Sequence, residues 1–320
     1  LKLPATLAVW LVLTVPAAAE WRADPVQTNG RVSAVDIDGD VTRIAIGATC
    51  HRLDGETNLV ATSPPDRPAL PLNALPDGRV ATEAGDIKRA WLGMPTKRYD
   101  HGVLGDAIEA GSLVIEHRDG KRGGVTLGED AVFEDLTPRI FKSNGRDWIV
   151  VVKSYLARGS ALAIIDPATM RIAAETPPIG QPHAWLNPAG IADFTGHGAT
   201  EIAFVRQPHV VGQLELWSFN NGKLSKVLDV PDVANHFIGS RALGMSWTAD
   251  FDGDRHPDLA IPSLDRRSLR IISFAPDVHD IARVKMPARM TTNIGAVTLN
   301  GKLALVVGLE DGRLMTIRNY

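Results

Sequence analysis

The chain has 320 residues, with 34 Lys and Arg against 37 Asp and Glu and a formal net charge of −3. That balance, with no basic block, excludes the electrostatic footprint of a nucleic-acid binder or of a protein held on a membrane surface. Cys50 is the single cysteine, so no internal disulfide forms, and a lone cysteine reads first as a small buried hydrophobe.

At the start of the chain, Lys2 is the only charge before the apolar run Ala5–Val15, which Pro16 and Ala17-Ala18-Ala19 follow. A positive start, a short apolar core and an A-x-A site are the parts of a Sec signal peptide, cut before Glu20. Eleven apolar residues fall short of the ~20 that a spanning helix needs, and no cysteine follows the cut to carry a lipid. The expected mature chain is residues 20–320, delivered to the periplasm or secreted, with no stable membrane insertion. Loss of Lys2 takes its net charge from −3 to −4.

Beyond residue 20 no apolar i, i+3, i+4, i+7 pattern persists over three turns. Short runs rich in Val, Ile and Leu recur instead between Gly, Pro, Asn and Asp: Thr42–Gly47, Ser112–Glu116, Trp148–Lys153, Ala161–Ile165, Glu201–Val205, Gln213–Phe219, Asp258–Ile261, Leu269–Phe274 and Leu303–Gly308. Runs of four to seven residues between turn signals are strands, and so many of them predict an all-β fold. The Pro-rich stretch Ser63–Asp77 reads as a surface insertion.

The strands repeat as a unit. Gly190-Ile-Ala-Asp-Phe-Thr-Gly-His-Gly-Ala-Thr-Glu-Ile-Ala-Phe is followed 57 residues later by Trp247-Thr-Ala-Asp-Phe-Asp-Gly-Asp-Arg-His-Pro-Asp-Leu-Ala-Ile. Weaker copies stand at Val35–Ile46, Gly102–Ile115, Pro138–Val152 and Gly295–Val307. A period of roughly 50 residues, each with three or four antiparallel strands, is the size of a propeller blade. The expectation is one β-propeller domain over 20–320, of six or seven blades, closed by an N-terminal strand near Arg31–Ile37.

One connection carries chemistry. Asp250, Asp252, Asp254 and Asp258 occupy positions 1, 3, 5 and 9 of a loop between two strands, with His256 at position 7. Alternate carboxylates on a tight loop supply the oxygens that a hard cation such as Ca2+ collects at ~2.3–2.6 Å. The pattern A-D-F-D-G-D-x-x-x-D-L-A at 249–260 resembles the FG-GAP/VCBS-type repeat of integrin-like β-propellers, found also in small secreted bacterial proteins. The resemblance implies a structural calcium held by the four Asp side chains and the His256 carbonyl. One departure is Arg255, where the repeat has Gly. The copy at 193–201 offers only Asp193, Thr195, His197 and Glu201 and reads as a loop held by hydrogen bonds. Asp36, Asp38 and Asp40 are followed by Ile44 and read as a hairpin turn.

Segments entering each blade cluster at one mouth of a propeller. Just before the repeat anchors lie Arg98, Tyr99, His101, Arg139, His183, His236, Arg241 and Arg289. A ring of Arg and His favours an anionic ligand, a carboxylate or phosphate, through charge-assisted hydrogen bonds. The alternative is that these residues form ion pairs between blades. Tyr99-Asp100-His101 with Asp106 and Glu109 assembles acid, base and phenol close in sequence, but strand alternation sends neighbours to opposite faces. There is no G-x-S-x-G, H-E-x-x-H, phosphate loop or C-x-x-C. The tryptophans hold no common place in the repeat, against a quinoprotein dehydrogenase. The expected function is therefore a monomeric, non-catalytic binding or scaffold propeller whose partner is a protein or an anionic ligand. The alternative is a propeller-fold hydrolase or lyase acting on an anionic saccharide at the channel mouth.

Overall fold

A computed structural model describes residues 20–320, and the expected signal sequence 1–19 lies outside the described residues. Among the described residues there are 24 strands and no helix. β1 (Trp21–Val26) stands apart at first. β2 (Val32–Asp38), β3 (Val41–Ile46), β4 (Thr49–Asp54) and β5 (Asn58–Thr62) make the first antiparallel sheet.

β6 (Ile87–Thr96), β7 (Glu109–His117), β8 (Arg122–Thr126), β9 (Ala131–Phe133), β10 (Arg139–Ser143), β11 (Arg146–Tyr155), β12 (Gly159–Asp166) and β13 (Arg171–Glu175) join into one eight-stranded sheet. Two four-stranded sheets follow, β14 (Leu186–Ala192) to β17 (Lys223–Val230) and β18 (Trp247–Ala249) to β21 (His279–Lys285). Within them run β15 (Thr200–Arg206), β16 (Gln213–Asn220), β19 (Asp258–Pro262) and β20 (Ser268–Ser273). In the last sheet β22 (Gly295–Leu299), β23 (Lys302–Gly308) and β24 (Leu314–Asn319) are completed by β1.

The sheets follow one another in a closed cycle. β13 packs on β17, β14 on β18, β21 on β1, and β22 on β3. The first sheet meets the composite one through Arg79 and Asp36. The apolar cores lie between successive sheets: Phe194, Val205 and Leu216 meet Leu259, Ile261 and Phe274 across one such seam. This is a β-propeller, and its burial follows from that arrangement. Middle strands are covered on both faces, so Ile149, Val150, Val151 and Val152 of β11 are all fully buried without alternation. Outermost strands face water, and β17 is mostly exposed. Each middle-strand aliphatic contributes about 1.5–3 kcal/mol by leaving water.

Three features differ from the sequence expectation. The closing strand is Trp21–Val26, paired from Trp21↔Asn319 to Val26↔Leu314, while the expected latch near Arg31–Ile37 opens a sheet of its own. Periodicity could not separate these two neighbouring runs. Separate sheets among the described residues number five because β9 pairs with both β7 and β11 and stitches two strand groups together. The copy at Gly102–Ile115 is out of phase. Its connection, 97–108, shares a face with 131–138 and 176–185, through His101–Glu134 and the Tyr99–His183 contact. The true first-to-second-strand connections lie at the opposite face, where Asn144 reaches Asn220 and Gly196 abuts His256.

The residues Ser63–Asp77 form no strand, but the segment continues along β6 through bridges Ala74↔Gly93 and Ala81↔Ala90. It fills the long gap between the first two repeat copies.

Because β1 covers the open edge of β24 and packs on β21, its loss exposes both. Deleting residues 20–26 is expected to lower the melting temperature by more than 10 °C and to give concentration-dependent oligomers in size-exclusion chromatography. A deletion variant that stays monomeric with unchanged melting would show that ring closure does not depend on this strand.

Candidate functional site

The acidic loop joins β18 to β19 on the face opposite the entry segments. Asp250, Asp252 and Asp254 are exposed, and each offers a carboxylate oxygen within 4.8 Å of the others. The loop is shaped by its own carboxylates: Asp250 accepts from the N–H groups of Gly253 at 2.6 Å and Arg255 at 3.0 Å. Asp254 accepts from the His256 N–H at 2.7 Å.

Asp258 is different, being 0% exposed. Its Oδ2 accepts from the Phe251 N–H at 2.8 Å, but its Oδ1 is buried with no partner. The nearby Ser273 hydroxyl donates to the Ala275 carbonyl instead. Burial first, then the charges of Asp252 and Asp254, push the Asp258 carboxyl up to about 6. Asp250, Asp252 and Asp254 converge as a hard divalent cation requires, while Asp258 stands outside that group with a buried oxygen still to be satisfied. Arg255 takes φ +72°, the left-handed region that favours Gly, which explains the residue expected there and puts a strain of about 1–2 kcal/mol on the loop. The His256 ring lies 3.3 Å from Asp254 and fills the space over Gly196, leaving its carbonyl as the expected donor.

The neighbouring loop 193–201 is held by internal hydrogen bonds and leaves Asp193 Oδ1 buried without a partner. Glu201 accepts from the Thr195 N–H and hydroxyl at 2.9 and 2.7 Å, and Asp193 from the Gly198 N–H at 2.8 Å. Asp38 pairs with Arg43 across the β2–β3 hairpin, and Asp36 with Arg67 and Arg79 of the segment after β5.

On the opposite face the six ligand candidates divide. His101 Nδ1 lies 2.6 Å from Oε1 of the fully buried Glu134, whose other oxygen accepts from Ser154. The His183 ring stacks on His101 at 5.1 Å, and the Tyr99 ring lies 5.2 Å from His183 and 5.7 Å from His101. His183 itself sits at φ +59° and its N–H donates to the Tyr99 hydroxyl at 3.0 Å. Arg98 does not join them, because its guanidinium donates to the Ala131 carbonyl at 2.8 Å.

His236 is buried behind Trp185, with its Nδ1 2.8 Å from His209 Nε2 and its Nε2 2.8 Å from the Ser240 carbonyl. The carbonyl accepts only, so His236 is protonated on Nε2 and His209 donates to its Nδ1. Burial drives both rings down, His236 to about 3 and His209 to about 4, and both are neutral at pH 7.

Arg139 and Arg241 meet elsewhere, at the axis. A cavity of about 210 Å3 is lined by Arg79, Arg139, Arg241, Thr137 and Asn293, with Ile37, Leu136 and Leu243 between them. Three guanidiniums and no carboxylate line it. Their ion-pair partners stand behind: Asp135 for Arg139 at 2.6 Å, and Asp77 and Asp106 for Arg241 at 2.9 and 2.8 Å. Arg79 has only Asp36 at 3.5 Å, which it shares with Arg67. Burial, then the Arg67 charge, holds the Arg79 guanidinium below its ordinary value. Arg79, with its side chain 41% exposed and one shared acid at 3.5 Å, keeps guanidinium donors for an anion.

Arg79, Glu134, Trp185 and His209 are absent from the sequence-predicted set. Their partners lie from 27 to 51 residues away, and no local spacing marks them.

Between these groups lies Glu109, 1% exposed, with its Oε2 unpartnered. Burial, then the Glu134 charge, raises its carboxyl far above the usual range. No protein-family model matches the chain, and no curated protein does. Among solved structures, one similar chain is BBS1N, crystallised in complex with ARL6DN. It is 13% identical, covers 92% of this chain and 94% of that one, and has a TM-score of 0.40. Another is an auxiliary nutrient binding protein from Bacteroides thetaiotaomicron, 11% identical over 91% of this chain and 69% of that one, with a TM-score of 0.45.

A carboxyl whose folded pKa is raised binds its proton more tightly in the native state, so it lends stability at low pH that is lost as pH rises above its unfolded value near 4.5. Glu109→Gln removes that dependence. The stability gain of the variant over wild type is expected to grow by about 1.4 kcal/mol per pH unit above pH 4.5, in urea titrations between pH 4.5 and 7. A difference that stays flat with pH would mean that Glu109 ionises freely in the fold.

Proposed function

We propose that residues 20–320 are a single exported β-propeller domain of the FG-GAP/VCBS type that binds a small anion, a carboxylate or phosphate, in its axial cavity. The observation that carries this reading is the lining of that cavity: Arg79, Arg139 and Arg241 face it and no acid does. Charge-assisted hydrogen bonds from a preset guanidinium cluster supply both affinity and selection against cations. In this reading the 250–258 loop holds one structural Ca2+ through Asp250, Asp252, Asp254, Asp258 and the His256 carbonyl. The ion neutralises the buried Asp258 and fixes one sheet corner far from the ligand.

The competing reading, a hydrolase or lyase on an anionic saccharide, needs the arginines, the histidines and an acid around one concavity. Here His101, His183 and Glu134 form one group and Arg139 and Arg241 another. Binding is the reading that this separation favours.

For the ion, EDTA is expected to lower the melting temperature by several degrees and Ca2+ to restore it, with Asp252→Ala abolishing the calcium-dependent part. No shift with EDTA and none in Asp252→Ala would remove calcium from the account. For the ligand, isothermal titration with phosphate and with succinate should detect binding that Arg139→Gln weakens about 10- to 100-fold. Equal affinity in wild type and Arg139→Gln, or no heat with either anion at 10 mM, would overturn the axial site.

A further inference from the structure

A second concavity lies away from the axis, where the segment after β13 crosses the sheet β14–β17. It has a volume of about 240 Å3 and is walled by Pro177, Pro178 and Phe204. The half-buried indole of Trp217 lines it together with Arg206, Glu215 and Lys226. That volume lies below the ~300–1,000 Å3 of drug-sized sites and suits a single small ring.

The polar groups around the indole are ordered by one another. Glu215, with its side chain 8% exposed, accepts from the Trp217 Nε1–H at 2.9 Å through Oε2. Its Oε1 lies 3.3 Å from Lys226 Nζ and 3.7 Å from Arg206 Nη1. Arg206 is pinned further by donation from Nη2 to the Ile179 carbonyl at 3.2 Å, while its buried Nε–H has no acceptor. The Arg206 side chain is 39% exposed, so the rest of its guanidinium faces the cleft within reach of a ligand.

We infer that this cleft is a monosaccharide site, in which a pyranose ring lays its apolar C–H face on Trp217 and turns its hydroxyls to Arg206, Glu215 and Lys226. The chemistry selects that class. A flat apolar ring is matched by the indole face. Hydroxyl groups donate to Glu215 and accept from Arg206 and Lys226, so a polyol rim satisfies both signs. A simple carboxylate meets Glu215 and a simple ammonium meets two cations, and each leaves one side of the network opposed. The site is independent of the axial cavity and of the calcium loop.

The test is a 15N–1H titration of the Trp217 indole signal, assigned by its disappearance in Trp217→Phe, with glucose, glucuronate and the open-chain sorbitol. The pyranoses are expected to shift that signal with a Kd of about 1 mM, and sorbitol to leave it in place. Lys226→Ala, on the exposed outer strand, should weaken the pyranose effect at least fivefold without lowering the melting temperature. Arg139→Gln should leave it unchanged, which separates this site from the axial one. No shift of the Trp217 signal by either pyranose at ~50 mM, an equal shift by sorbitol, or unaltered binding in both Lys226→Ala and Glu215→Gln would overturn the inference.

Discussion

Each sheet of this protein has two apolar faces, and the strands in its middle have no side left for water. Ile149 to Val152 are buried on both sides because a neighbouring sheet covers each one. A flat array of such sheets would leave its two end faces wet, so the packing is satisfied only when the last sheet meets the first. The chain meets this demand by giving its first strand to its last sheet, with β1 beside β24. Contacts that span almost the whole sequence, such as Thr42 donating to the Ala296 carbonyl at 2.5 Å, follow from that closure.

The same geometry sorts the chemistry. Alternate connections emerge on opposite faces, so the acidic loops and the Arg- and His-bearing entry segments are kept apart although they alternate along the sequence. One face gathers carboxylates whose oxygens converge. The other combines buried neutral histidines, a protonated buried carboxyl and an axial group of guanidiniums. Charge is nearly balanced overall, as composition alone shows, and the arginines of this face keep acids beside them, Asp135 for Arg139 and Asp77 and Asp106 for Arg241.

Much of the architecture was legible in the sequence because strand length, turn residues and a repeat near 50 residues are local signals. The loop 250–258 was legible for the same reason, since its donors lie within nine positions. What local pattern misses is which element pairs across distance. Trp21–Val26 and Val32–Asp38 read alike, and only the partner β24 distinguishes them. The Gly102–Ile115 copy matched the repeat by composition while belonging to the other face. Arg98, His101, Arg139, His183, His236 and Arg241 were grouped by their place before the anchors. Which of them share a cavity depends on partners such as the Ala131 carbonyl and the carboxylates of Glu134 and Asp135, and nothing in the spacing encodes those. The Trp217 cleft was invisible because its parts come from five separate segments.

The double pairing of β9 gives the ring an uneven build. Most seams are held by side-chain packing between separate sheets, which can slide or tilt at small cost. At Ala131–Phe133 the backbone itself crosses the seam, hydrogen-bonded to β7 on one side and β11 on the other. That third of the circle is a stiff arc, and the remaining leaves are hung from it. Slow breathing of the propeller would open at the packed seams first and leave this arc intact, with Glu134 and the neighbouring His101 anchored to its most rigid point.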